Sequence, residues 1–119
     1  MYSTRRKGSD YEKMAADYLM KKGYTILDMN YRISYGEIDI VASCDGVLVF
    51  VEVKYRSNSR NGTPAEAVNV RKQRQISRVA LTYLGKKGYG TDIPVRFDVI
   101  TILGSDISHI ENAFSYAWY

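Results

Sequence analysis

Asp39, Glu52 and Lys54 are the residues of this chain whose types and spacing most plainly allow chemistry. Residues 37–41 and 47–54 each read as a strand, and Asp45-Gly46 between them is a strong signal for a two-residue hairpin turn. Such a turn pairs Cys44 with Val47. Counting outward, Asp39 faces Glu52 and Glu37 faces Lys54. Side chains alternate with period two along a strand, so the spacing predicts all four on one side. Two carboxylates directly opposite repel. At ~5 Å and an effective dielectric of ~20 the repulsion is roughly 3 kcal/mol. A divalent cation is the obvious group to offset it. The plainer alternative is a Glu52–Lys54 pair on an exposed strand end.

The remaining inventory narrows what such a cation is. Cys44 is the single cysteine and His109 the single histidine, so an intramolecular disulfide, a thiolate zinc cluster and a multi-histidine site are excluded. Any metal must be held by oxygen, which points to magnesium, manganese or calcium. The 119 residues suit one domain, spanning 1–119. A net charge of +4 and a pI near 9.2 are compatible with nucleic acid as a partner. No apolar run approaches membrane-spanning length. Arg5, Arg6 and Lys7 are not followed by a hydrophobic stretch, so the N-terminus does not read as a secretory signal, and the expected compartment is the cytoplasm.

The elements that must position the acids can be read in outline. Ser9 and Glu12 have capping-box spacing, and Tyr11, Met14, Ala15, Tyr18 and Leu19 follow helical periodicity up to Lys21-Lys22-Gly23. Glu12 either closes that box or, at the border of the apolar face, reaches a cleft beside the sheet. A short strand is expected from Tyr24 to Leu27, continuing irregularly through Tyr31–Ile33. The acidic hairpin follows from about Gly36 to Tyr55, with its second strand central and buried on both faces. Residues 56–62 read as a polar loop. Thr63-Pro64-Ala65-Glu66 carries the signals that start a long helix, running to about Gly85 or Gly88. Its core stripe, set by Ile76, Val79, Ala80, Tyr83 and Leu84, turns polar at Asn69, Lys72 and Gln73. That predicts either a polar pocket shared with the Glu52–Lys54 strand or a helix end emerging into solvent. Arg71, Arg74 and Arg78 form a basic stripe on the opposite side. With Arg56, Arg60 and Lys72 it either tracks phosphates or is a solvated face. Pro94–Leu103 reads as a strand, Ile107–Ile110 as a short last one, and Phe114, Tyr116, Trp118 and Tyr119 as an aromatic tail. The order of elements suits a mixed sheet with helices against it.

Several segments together carry a family resemblance: Gly8-Ser9-Asp10-Tyr11-Glu12, Gly36 through Ala42, Val49 to Lys54 with Arg56, Pro64 to Val68 with Lys72-Gln73, and Arg96-Phe97-Asp98-Val99. The chain resembles the YraN-like bacterial proteins, related to archaeal Holliday-junction resolvases, and through them the PD-(D/E)XK nuclease superfamily. The resemblance implies a restriction-endonuclease-like fold, a mixed β-sheet flanked by α-helices. It implies Glu12, Asp39 and Glu52 as acids, with Lys54 as the lysine. Ile38 stands where many such motifs have proline. On that likeness Asp39, Glu52, Glu12 and the Val53 carbonyl hold Mg²⁺ or Mn²⁺, Lys54 serves the attacking water, and Glu37 or Gln73 supports from behind. The expected activity is metal-dependent cleavage of branched or structured DNA, an endodeoxyribonuclease. The rival readings are a non-catalytic nucleic-acid-binding module and an interaction subunit of a DNA-repair assembly. Resolvase-like action needs two active sites, hence a homodimer; the aromatic tail either supplies that surface or folds back onto the core.

Overall fold

The computed structural model of the protein describes residues 4–56, 68–90 and 92–117, with the backbone alone for 4–9. In chain order the elements are α1 (Thr4–Lys21), β1 (Thr25–Ile33), β2 (Gly36–Cys44), β3 (Val47–Arg56), α2 (Val70–Lys86), β4 (Val95–Leu103) and β5 (Asp106–Phe114). The strands lie side by side in chain order. Neighbours are antiparallel except β3 and β4, which run parallel and are joined through α2. β3 is thus central, and Leu48 through Val51 are fully buried. Alternate strand residues feed two separate cores. Leu48, Phe50, Phe97 and Val99 pack with Ile76, Val79 and Tyr83 of α2. Val49, Val51, Ile100 and Ile102 pack with Ala15 and Leu19 of α1. This is the mixed, helix-flanked sheet expected from the pattern, and it is consistent with a restriction-endonuclease-like fold. No helix among the described residues is long and apolar enough to cross a membrane.

Both helices depart from their expected starts. α1 begins at Thr4, so Ser9 lies inside it and is not its N-cap. Arg5, Arg6 and Lys7 are good helix formers, and the helix runs through Gly8 to include them. For α2, Thr63–Glu66 fall outside the described residues, as does Arg60. The described helix begins at Val70, and Asn69 caps it by accepting the Lys72 N–H at 2.9 Å. Asn69 therefore serves the helix end and does not belong to the polar stripe. At the C-terminus of α1, Gly23 adopts φ +95°, which lets the Gly23 and Tyr24 amides return to the Met20 and Leu19 carbonyls at 3.0 Å.

The last strand is longer than Ile107–Ile110 because β5 continues past a bulge. The register shifts between Phe97 and Val99, opposite Asn112 at φ 52°. The described part of the aromatic tail folds back: Phe114 stacks on Phe97 at 5.1 Å, Tyr116 meets the same ring edge-on at 4.9 Å, and the Ala117 N–H donates to Ser77 Oγ at 3.0 Å. Trp118 and Tyr119 lie outside the described residues.

At the bulge sits a buried ionic network. Asp98, with no exposed surface, accepts two hydrogen bonds from the Arg96 guanidinium at 2.9 Å and one from the Asn112 N–H at 3.0 Å, and His109 Nε2 lies 2.7 Å from it. Arg96 also donates to the Tyr24 hydroxyl, and Lys22 Nζ lies 3.0 Å from His109 Nδ1. Burial alone would raise the Asp98 carboxyl. His109, Arg96 and the Asn112 amide outweigh it and hold the group below the ordinary aspartate value. The network ties the end of α1 and the start of β1 to β4 and β5. Asp98→Ala strands Arg96 and His109 without their common acceptor. It is expected to cost about 3–5 kcal/mol, read as a lower urea midpoint at unchanged m-value; a shift within error of zero would show the network to be dispensable.

Candidate functional site

The hairpin of β2 and β3 turns as its Asp45-Gly46 signal predicts, and Cys44 pairs with Val47. Its ladder ends at Ile40 opposite Val51. One step further out, the Val53 N–H donates to Asp39 Oδ2 at 2.8 Å, so a side chain takes the place of a strand carbonyl. Strict alternation is interrupted at the same point. Ile38 packs in the α2-side core, while Ile40 packs in the α1-side core. Asp39 is accordingly almost buried, at 9% exposure, in the opening between the strands.

Three acids meet there. The Glu52 side chain hydrogen-bonds with Asp39, so the expected meeting of these two carboxylates takes place. Glu12, from α1, hydrogen-bonds with Asp39 and with Asn30, a β1 residue held at φ 53°. Of the two readings open for Glu12, the cleft position is the one the helix adopts. Lys72 reaches in from α2, its Nζ 3.7 Å from Glu52 Oε2, and the exposed Lys54 also acts electrostatically on Glu52. The predicted polar pocket between α2 and the strand end is present, through Lys72. Glu37 does not face Lys54, because the strands have parted. It pairs instead with Arg32, its β1 register partner, at 3.2 Å. Gln73 is turned to the start of its own helix, where Nε2 donates to the Val68 carbonyl at 3.0 Å.

The electrostatics follow from crowding acids where water is scarce. Burial, and then the Asp39 charge, push the Glu52 carboxyl up to about 8, with Lys72 opposing. The same two causes push Glu12 up to about 7, against the Asn30 hydrogen bond. Burial raises Asp39 as well, opposed by the Val53 N–H and the shared Glu52 hydrogen bond. Near neutrality the cluster therefore retains protons.

The donor set fits a hard divalent cation in kind, since it consists of carboxylate oxygens. Its arrangement is a chain, Glu12 to Asp39 to Glu52, and among the described residues no three His, Cys, Asp or Glu side chains close around one point.

The basic residues separate into two groups. Arg71, Arg74 and Arg78 line a cleft of about 310 Å³ with Tyr35 and Gln75. Lys72 turns the other way, and with Arg32, Ile33, Gly36, Glu37 and Gln75 it lines an adjoining cleft of about 320 Å³. A Cβ at Gly36 would come within 2.6 Å of Gln75 Cγ, so glycine lets the β1–β2 turn approach α2. Arg56 ends β3, half-buried.

Sequence reasoning did not assign Asn30, Tyr35 or Gln75 a place. Asn30 and Gln75 are polar residues on elements whose other faces are apolar, which is a weak signal. Tyr35 was one tyrosine among 11.

A family model described as "Uncharacterised protein family UPF0102" matches residues 11–102. The chain belongs to this family. A UPF0102 protein of Lachnoclostridium phytofermentans is 49% identical over 108 residues, covering 91% of this chain and 92% of that protein. A UPF0102 protein of Clostridioides difficile is 45% identical over 114 residues, covering 94% and 99%. One of Vibrio parahaemolyticus is 42% identical over 117 residues, covering 97% of each. The UPF0102 match takes in Glu12, Asp39, Glu52, Lys54 and all of α2. These names give a family and no activity.

Raised carboxyl values in the folded chain have a definite sign. The unfolded chain gives up its protons near 4.5 and the folded one nearer 7 and 8, so stability falls as pH rises through that interval. In chelator, Glu52→Gln should melt with wild type below about pH 4.5 and progressively above it toward pH 8. A melting-temperature difference that does not grow with pH would remove Glu52 as a strained acid.

Proposed function

We propose that this protein is a metal-dependent nuclease of the PD-(D/E)XK kind, hydrolysing phosphodiester bonds in branched or structured DNA. The observation that carries the reading is the buried Asp39 with the half-buried Glu52 against it at the end of a ladder, with Glu12 on one side and Lys54 two residues further along β3. A fold that keeps acids so close accepts a lasting electrostatic cost. A ligand that replaces the retained protons removes that cost.

In this reading Asp39 and Glu52 hold Mg²⁺ or Mn²⁺, with Glu12 and the Val53 carbonyl as further oxygen donors. A bound ion supplies charge neutralisation at the phosphate and a more acidic water. The chain's own residues do the rest. The Val53 N–H fixes one oxygen of Asp39, which keeps that carboxylate from rotating away. Lys54 orients the attacking water and stabilises negative charge developing at phosphorus. Lys72 offsets the charge of Glu52 and holds the start of α2 against the site. Gln73 acts only through the helix start that it secures.

A nucleic-acid-binding module that does not cleave is the second reading. One observation favours it: the carboxylates stand in a chain and do not already surround a common point.

Two measurements separate these readings. Mg²⁺ or Mn²⁺ binding only the folded protein should raise the melting temperature of wild type. Asp39→Asn should melt higher without metal and respond less to it; equal responses would place the ions elsewhere. For activity, duplex, flap, single-stranded and four-way-junction DNA are incubated with either metal. Lys54→Ala should lower the cleavage rate by ~10²–10³ while leaving metal-induced stabilisation in place, since the lysine acts on the transition state. Cleavage at the wild-type rate by Lys54→Ala would exclude the assigned role. Binding without cleavage under every metal would select the second reading.

A further inference from the structure

The arginine cleft has features that a solvated helix face does not need. Arg71, Arg74 and Arg78 have no carboxylate partner among the described residues. They do not lie on a convex stripe, since the β1–β2 turn rises beside them and closes a concavity of about 310 Å³. The wall contributed by that turn is Tyr35, an aromatic residue 48% exposed. Its hydroxyl is tied to Thr82 Oγ1 at 2.5 Å, so the ring is anchored at its far end. No other ring or cation covers it among the described residues. Gln75 lines both this cleft and the adjoining one that contains Lys72, whose Nζ lies 3.7 Å from Glu52 Oε2. Glu37, which lines that second cleft, is paired with Arg32.

Each component suits a different part of one ligand. Guanidinium groups bind phosphate oxygens with forked hydrogen bonds. An anchored, uncovered aromatic ring binds the face of a base. A base within a duplex already has neighbours on both faces and cannot offer one to a protein ring. Contact with a continuous duplex backbone would use the arginines and leave the ring unused.

We propose that this cleft holds an unpaired nucleotide of a nucleic acid, its phosphate on Arg71, Arg74 and Arg78 and its base against Tyr35. This assignment rests on the nuclease reading: the cleft holds an unpaired part of the nucleic acid that is cut at Asp39 and Glu52, with Lys72 of the same helix reaching Glu52. The substrate class is a duplex with a single-stranded flap, gap or end, as distinct from a fully paired one.

Binding is measured in EDTA, so that cleavage plays no part, with a fluorescein-labelled duplex bearing a single-stranded flap and the continuous duplex of the same sequence. Wild type should prefer the flap. Tyr35→Ala should weaken flap binding by roughly 5- to 150-fold, the range that base–aromatic stacking supplies, and leave the continuous duplex unchanged. Tyr35→Phe should retain the preference. Arg71→Gln and Arg78→Gln should weaken both substrates and lower the log–log salt slope by about 0.7–0.9 for each lost phosphate contact. A fluorescent purine analogue in the flap should be quenched on wild-type protein, which reports stacking even if Tyr35→Ala folds poorly. The proposal is overturned by equal binding of the two substrates, by no binding of either, by unchanged flap binding in Tyr35→Ala, by a loss in Tyr35→Phe that equals that of Tyr35→Ala, or by an unquenched analogue. Failure to cleave with these binding results intact removes the nuclease reading alone. Metal-dependent cleavage at wild-type kcat/KM in Tyr35→Ala and both arginine variants removes this inference and leaves the nuclease.

Discussion

The N–H of Val53 is the group around which the site is built. A strand amide at the end of a ladder needs an acceptor, and an unsatisfied one in a half-buried place costs about 1–3 kcal/mol. Here the acceptor is the Asp39 carboxylate. That bond holds Asp39 in the opening between β2 and β3, and the rest follows from where it stands. Glu52, one residue before Val53, is brought against Asp39, and Glu12 approaches from α1. Lys72 is the nearby cation that α2 supplies.

Two buried aspartates in this protein show how environment decides charge. Asp98 and Asp39 are both nearly inaccessible. Asp98 is surrounded by a guanidinium, an imidazole and an amide, and its acidity increases. For Asp39 burial prevails: its acidity decreases despite the Val53 N–H and the shared Glu52 hydrogen bond. The first arrangement stabilises without need of a ligand. The second remains electrostatically incomplete, and this is the physical ground for expecting chemistry at one end of β3 and architecture at the bulge of β4 and β5.

The sheet and its centre were legible because their signals are local. Asp45-Gly46 fixes the hairpin register, and the run from Leu48 to Val53, apolar except for Glu52, marks a strand whose residues Leu48–Val51 are covered on both faces. The meeting of Asp39 with Glu52 follows from that register. The pairing of Glu37 with Lys54 does not, because period-two counting assumes a ladder that continues, and this one stops at Ile40. The start of α1 was misplaced because capping-box spacing also occurs inside helices, where the preceding turn already satisfies the amides. The Asp98 network joins the α1–β1 connection to β4 and β5, and such distant pairings leave no trace in spacing. Lys72 shows the same limit in part. Its helical position was evident, but its choice between the acids and the arginine side depends on the tilt of α2 against the sheet.

The strand order has a consequence for how the chain acquires this arrangement. β1, β2 and β3 form a meander of short connections, so Asp39 and Glu52 are joined by local contacts alone. The parallel step from β3 to β4 closes over the whole stretch between Arg56 and Val95. Loop closure makes that step entropically dearer than either hairpin. Lys72 lies within the closing segment. The acids are thus encoded in one contiguous stretch of chain and their counterion in another. Lys54 comes with the hairpin, but the site gains the Lys72 charge only when the crossover docks, which couples its electrostatics to completion of the sheet.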